Sequence, residues 1–182
     1  MRVPVLVAAS ALLVSACGQS SEEKSNQAAS TGEIAATATA AATAGPLGKA
    51  VSGAQAKKVM HDRHEGMEEI GDAMKLVSGE LKKDSPDLAK VRSGSATFAR
   101  YAPQVKGWYP PGTGPDVGKT RAKVEIWQKP DDFHAKALQF EKSSKAFSAA
   151  ASGNDLAAIR AAHADLGKAC KACHEPYRAP EE

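Results

Sequence analysis

The sequence predicts an all-α fold, an antiparallel four-helix bundle in up-down-up-down order, and three observations predict it. Beyond residue 51 the apolar residues recur at helical spacing, no stretch alternates like a strand for long, and the breaks between periodic segments carry helix caps and breakers. The first stripe is Met60, Arg63, Met67, Ile70, Met74, Val77 and Leu81; the second is Leu88, Val91, Ser95, Phe98, Ala102 and Val105. A third runs Phe133, Ala137, Phe140, Ser144, Phe147 and Ala151, and a fourth Leu156, Ile159, His163, Leu166, Cys170, Cys173 and Tyr177. Steps of three and four put each set on one face of one helix.

The punctuation between stripes supports each helix in turn. Asp84-Ser85-Pro86 offers a cap with proline in the first turn of the second helix, and Pro130-Asp131-Asp132 can start the third in the same way. Gly153-Asn154-Asp155 ends the third and caps the fourth. The links between helices one and two and between three and four are short, so those neighbours should be antiparallel. Between helices two and three, "GWYPPGTGPDVGKT" is too rich in Pro and Gly to be anything but a loop. Aromatic residues are only 5% of the chain and alanines crowd the inward faces, so the bundle would be thinly packed around nothing. Something else is expected to fill it.

The chain has 182 residues, but its first part reads as targeting and tethering. Residues 1–16, "MRVPVLVAASALLVSA", place one positive charge ahead of an apolar run too short to span a bilayer, the pattern of a signal peptide. The run ends in Val14-Ser15-Ala16-Cys17, which resembles the lipobox of bacterial lipoproteins, with Cys17 as the lipidated residue. Gly18 does not resemble the acidic residue associated with inner-membrane retention, so an outer-membrane anchor facing the periplasm is favoured. The stretch 17–51 is dominated by Ser, Thr, Ala, Gly and Gln and reads as a flexible tether, leaving 52–182 for the bundle. Without residues 1–16 only Arg2 is lost, and the formal charge falls from +3 to +2, which gives no reason to expect nucleic-acid binding.

The chemistry is concentrated at the other end, in "CKACHEPYR". Positions i, i+3 and i+4 of a helix share a face, so Cys170, Cys173 and His174 point toward one object beside the last helix. A c-type haem needs these three groups: two thiols to add to its vinyl groups, and an imidazole to bind the iron from the same side. A disulfide between the two cysteines would close a tiny loop inside a helix and constrain little. A thioredoxin-like pair should follow a strand, and none precedes it. A zinc site would need further ligands, with His61 or His64 as candidates.

With this motif on the fourth helix of a bundle, the chain strongly resembles the cytochrome c′ family, itself a standard example of up-down-up-down bundles. The resemblance runs from about Ala54 to Arg178 and rests on "DRHEGMEEIGDAMK", "WYPPGTGP", "AKVEIW", Phe133 and "GKACKACHEPYR". It implies one covalent haem c on Cys170 and Cys173, His174 as proximal iron ligand, and Arg178 as a charge near the proximal face. It also aligns Arg63-x-x-x-Met67 with the family's arginine and distal residue. Some members leave the distal side open beneath an aliphatic or aromatic side chain, and relatives bind a methionine there; Met67 stands at that position. Facing a haem, the Arg63 guanidinium would pair with a propionate carboxylate. His163 reads as a satisfied histidine within its stripe, and Trp108 and Trp127 as residues packing the loop onto the bundle.

Two functions follow from the distal alternatives. With Met67 bound, the six-coordinate iron makes a single-electron carrier in the periplasm, working with redox partner proteins. With the site open, the iron binds nitric oxide or carbon monoxide. The resemblance also implies a possible homodimer through the first two helices. No acid-base pair or nucleophile is arranged for turnover, so no enzyme is expected.

Overall fold

The computed structural model describes residues 45–181, and the proposed signal peptide, Cys17 and most of the tether lie outside them. Four long helices dominate: α1 (Gly53–Leu81), α2 (Leu88–Tyr101), α4 (Pro130–Ser152) and α5 (Leu156–Tyr177). A one-turn helix, α3 (Glu125–Gln128), and a short 3-10 turn (Val105–Gly107) interrupt the long connection. The fold is all-α, and among the described residues no helix is long and apolar enough to cross a membrane.

Helix boundaries follow local chemistry, with two departures from expectation. Asp87, not Asp84 or Ser85, caps α2: its carboxylate accepts from the N–H groups of Ala89 at 2.9 Å and Lys90 at 3.3 Å. Asp155 caps α5 in the same manner, accepting from Ala157 and Ala158 N–H, as expected. The second stripe does not stay helical to Val105. Pro103 has no N–H to donate, so the helical ladder is interrupted after Ala102, α2 ends at Tyr101 and Val105 moves into the 3-10 turn. Pro130 occupies the first turn of α4, where its missing N–H costs nothing.

Packing of the described residues begins before Val51, the expected end of the tether. Leu47 is only 5% exposed and belongs to the hydrophobic core, and Val51 N–H donates to Pro111 O at 2.9 Å. Core contacts therefore extend into a stretch whose composition reads as linker.

The inner stripes are buried unequally, and that inequality shapes the site. On α2 and α4, Val91, Ser95, Phe98, Phe133, Ala137, Phe140, Ser144, Phe147 and Ala151 are all buried. Phe98 and Phe147 meet edge to face at 5.8 Å. α2 approaches α1 closely because Gly94 has no Cβ; one built there would run into Val77 Cγ2. On α1 and α5, by contrast, Met67, Met74, Cys170 and Cys173 pack on the core yet remain only partly buried. α5 packs along α4, α4 along α2 and α2 along α1.

One ionic knot holds the α1–α2 corner. The buried Glu80 carboxylate accepts from Lys83 Nζ at 2.8 Å and from Asp87 N–H at 3.2 Å, with Lys90 Nζ at 3.7 Å. The Lys83 hydrogen bond first, then that from Asp87, hold this carboxyl below its usual range. A depressed folded-state pKa contributes stability that is fully present above the unfolded value, about 4.3, and is lost as pH falls through the folded value. Glu80→Gln should therefore lower stability at pH 7 and flatten the acid limb of the stability curve. Urea midpoints measured from pH 7 down to about pH 3 check this, and a Gln variant with an unchanged acid limb would contradict it.

Candidate haem site

α5 brings Cys170, Cys173 and His174 to one face, as their spacing requires. Both thiols are free and half-buried, and burial pushes each up to about 11. They are therefore neutral thiols, without the depressed pKa of a redox-active or thiolate-ligating cysteine. The His174 imidazole is pushed down to about 4, by burial first and then by the guanidinium groups of Arg178 and Arg121. It is thus held neutral, the form that coordinates a metal. Among the described residues it has no hydrogen-bond partner of its own.

The end of α5 is clamped where those ligands sit. Lys123 N–H donates to Tyr177 O at 3.0 Å and Ala179 N–H to Arg121 O at 2.8 Å, so the loop before α3 grips the last turn. Tyr177, one turn past Cys173, is buried against Phe133 with ring centroids 5.4 Å apart, and its hydroxyl donates to Asp132. Arg178 is exposed, and its charge acts on His174 across one helical turn.

Opposite this face lies α1. Arg160 Nε donates to Leu81 O at 3.2 Å, and His163 Nε2 lies 3.1 Å from both Ser78 Oγ and Met74 Sδ. Moving from Arg160 to His163 on α5 thus goes with moving back from Leu81 to Ser78 on α1, so these two helices run antiparallel. Following the same register along both helices, about 16 Å at 1.5 Å per residue, brings Met67 level with His174. The ties between α1 and α5 gather at the Leu81 end, and the half-covered side chains lie toward the other.

These observations test what group the site fits. Cys170, Cys173 and His174 do not converge within 4.8 Å of one another, as the donors of one small ion would. His61 and His64, the candidate zinc partners, are instead exposed and face Glu65 and Glu68 at 3.9 and 3.2 Å. A row of neutral thiols and an imidazole, facing half-covered apolar side chains across a loosely tied seam, fits a flat, wide macrocycle. Cys170 and Cys173 have the spacing of covalent haem c attachment.

Arg63 is 4% exposed on the stripe one turn before Met67. The expectation for it was a propionate; the structure gives it partners in the long loop. Its Nη1 donates to Thr113 Oγ1 at 3.3 Å and Trp108 O at 3.4 Å, and its Nη2 to Thr113 O and Thr120 Oγ1 at 3.1 Å each. Its guanidinium also lies 4.7 Å from the centre of the Tyr109 ring. Trp108, from the same loop, covers Gly66, where any Cβ would come 2.5 Å from its indole. The loop is thereby strapped over α1 beside Met67. Trp127 Nε1 donates to Tyr109 O at 3.1 Å, so both tryptophans pack the loop as expected. Sequence reasoning missed Tyr109 and Thr113, whose only signal was their place in the Pro- and Gly-rich stretch. His163 is satisfied by Ser78 and Met74, as its stripe position suggested.

A thiol pair and an imidazole so spaced on the last helix of a helical bundle define a c-type cytochrome. Comparison with known proteins makes this specific. A family model described as Cytochrome C' matches residues 58–178. Cytochrome c' of Pararhodospirillum photometricum is 34% identical over 116 residues, covering 64% of this chain and 92% of that protein. Cytochrome c-554 of Cereibacter sphaeroides is 33% identical over 132 residues, covering 68% and 82%. The crystal structure of cytochrome c' from Thermochromatium tepidum is 32% identical with a TM-score of 0.63, covering 69% of this chain and 97% of that one. The fold is also shared with a nitric oxide complex and a carbon monoxide complex of variants of Alcaligenes xylosoxidans cytochrome c prime. Each is 26% identical with a TM-score of 0.63; they cover 71% and 70% of this chain and 99% and 98% of those chains. A cytochrome c' described as having ligand-controlled dimer dissociation is 30% identical, with a TM-score of 0.64 over 70% of this chain and 99% of that one. The chain belongs to the cytochrome c′ family. The family comprises electron and ligand carriers, not enzymes, and periplasmic residence is consistent with it.

Arg63→Met should leave the loop carbonyls of Trp108 and Thr113 without their donor. The expected loss is roughly 2–4 kcal/mol of unfolding free energy, measured by urea denaturation. A loss below about 0.5 kcal/mol, the range of ordinary surface substitutions, would show that the guanidinium does not hold the loop.

Proposed function

We propose that the protein holds one haem c in an up-down-up-down bundle and binds a small neutral gas, nitric oxide or carbon monoxide, on the haem face opposite His174. Cys170 and Cys173 form the thioethers and His174 is the proximal ligand. Bound there, the haem supplies an iron that changes oxidation state by one electron and accepts a sixth ligand. The observation that carries the gas reading is the α1 face at the level of His174. Met67 and Ile70 are apolar, and the one cation of the stripe, Arg63, is drawn aside by four hydrogen bonds to the loop. A face without charge or hydrogen-bond donors suits a neutral diatomic molecule better than an anion. The nitric oxide and carbon monoxide complexes of similar structures point the same way.

The comparisons move weight from the electron carrier expected from sequence to this gas reading. The carrier remains the second reading, because the Met67 thioether stands level with His174 and thioether ligation raises the potential of a haem. Arg178 and Arg121 then act as charges beside the proximal ligand. We further propose that residues 1–16 are a signal peptide, that Cys17 carries lipid in a bacterial membrane, with the outer membrane favoured, and that a tether leads from it to the bundle. A homodimer is proposed through α1 and α2, where exposed Leu76 lines a groove of about 370 Å³ with Glu69, Asp72, Ala73, Ser93, Gly94 and Thr97.

Intact-mass measurement of protein matured with the c-type assembly machinery should show one haem added, and acyl chains on Cys17 in the membrane fraction. Absence of haem mass would overturn the cofactor reading, and unmodified Cys17 the anchor.

The visible spectrum then separates the two functions. For the gas reading we expect a broad high-spin spectrum and ready carbon monoxide binding, little changed by Met67→Ala. For the carrier we expect sharp low-spin bands, slow carbon monoxide binding, and conversion to high spin in Met67→Ala. Sedimentation during the same titration reads whether the protein pairs and whether the ligand separates the pair.

A further inference from the structure

Tyr109 is the one large polar side chain of the long loop that is buried without a use. It is 8% exposed. Its ring is fixed from three sides, by the Arg63 guanidinium at 4.7 Å, the Phe133 ring at 4.7 Å and the Trp127 ring at 6.3 Å between centroids. Its backbone carbonyl is held by Trp127 Nε1 at 3.1 Å. The phenol therefore cannot swing out to find a partner. Yet among the described residues its hydroxyl makes no hydrogen bond, unlike those of Tyr101 and Tyr177, which donate to Glu69 and Asp132. Its ring meets that of Phe133, which in turn meets Tyr177 one turn past Cys173, and this chain of contacts puts the phenol beside the haem-attachment face.

The ring is buried but the hydroxyl oxygen is not among the buried unpartnered atoms of the described residues, so it is reached from outside, and any group that covered it would have to accept its hydrogen bond. A haem brings few acceptors. Its ring nitrogens are taken by the iron, which leaves the two propionate carboxylates and any ligand on the iron. Arg63, stacked on the Tyr109 ring, gives this corner a buried positive charge, and a positive corner favours the anionic acceptor. We propose that the Tyr109 hydroxyl donates a hydrogen bond to a haem propionate, with Arg63 supplying the charge behind it. Arg63 then serves the propionate at one remove: it holds the loop, stacks on the phenol, and leaves the direct contact to Tyr109.

This inference rests on the haem reading above, so haem content is measured first. Tyr109→Phe keeps the ring and its packing and removes only the hydroxyl, and Tyr101→Phe is the control on the exposed side. Resonance Raman spectra of the three purified holoproteins are compared in the propionate-bending region, with midpoint potentials alongside. The propionate band should shift in Tyr109→Phe alone, and the potential should fall, since a carboxylate without its donor stabilises ferric iron more strongly. Haem present with an unchanged propionate band would overturn the proposal while leaving the haem reading intact. So would a shift confined to the iron–carbonyl stretch of the carbon monoxide complex, which would place the hydroxyl toward the distal ligand. A wild-type protein without haem would sink both.

Discussion

A covalently held haem would keep one face of α5, the face carrying Cys170, Cys173 and His174, from packing tightly against another helix. These three residues would hold the haem at i, i+3 and i+4 of α5, and whatever stands opposite would have to leave room for it. The rest of the bundle is arranged around that exclusion. α2 and α4 carry the dense core, with Phe98, Phe133 and Phe147 nearly or wholly out of solvent. α1 is held to α2 by the glycine contact at Gly94 and by the Glu80 knot. It meets α5 mainly at the far end, through Arg160 and His163. Stability is drawn from one side of the molecule so that the other can stay open, which is how a chain with few aromatic residues still folds.

The long loop supplies what the open side lacks. Left alone, the α1 stripe would present a buried guanidinium to the site, at a heavy desolvation cost. Four oxygens from Trp108, Thr113 and Thr120 take up that charge instead, and the cation in turn orders the loop. Each element is thus the condition of the other. Trp108 over Gly66 then fixes the loop beside Met67, so the placement of this side chain is set partly by contacts from outside its own helix.

How much of this was legible in the sequence depends on the range of the interaction. Periodicity within a helix reports which face turns inward, and Phe133, Phe140, Phe147, Ile159 and Leu166 are buried as their spacing indicated. The haem motif is legible for the same reason, being local to one helical turn. Boundaries were less so: Asp87, whose N–H is accepted by Glu80 seven residues back on α1, took the place of Asp84 and Ser85 as the α2 cap. Leu47 is a lone leucine in polar sequence, and only the folded domain shows what it packs on. The Arg63 network spans more than forty positions in the chain, and no local pattern encodes it. Tyr109 was hidden because a Pro- and Gly-rich stretch announces a loop without telling which of its side chains turn inward.

The two functional readings differ by a free energy and not by an architecture. Both place Met67 at the level of His174, and both need the same exclusion around the haem. If the thioether binds the iron, a gas must first displace it, and its apparent affinity falls by the fraction of protein in which the site is free. A tenfold preference for the bound thioether costs the gas about tenfold, or about 1.4 kcal/mol. That is the scale of one imperfect contact on α1, well within reach of the Trp108–Gly66 packing that positions the helix face. If Met67 competes with a gas for the iron, the loop that packs Trp108 over Gly66 beside it is where such a balance would be tuned.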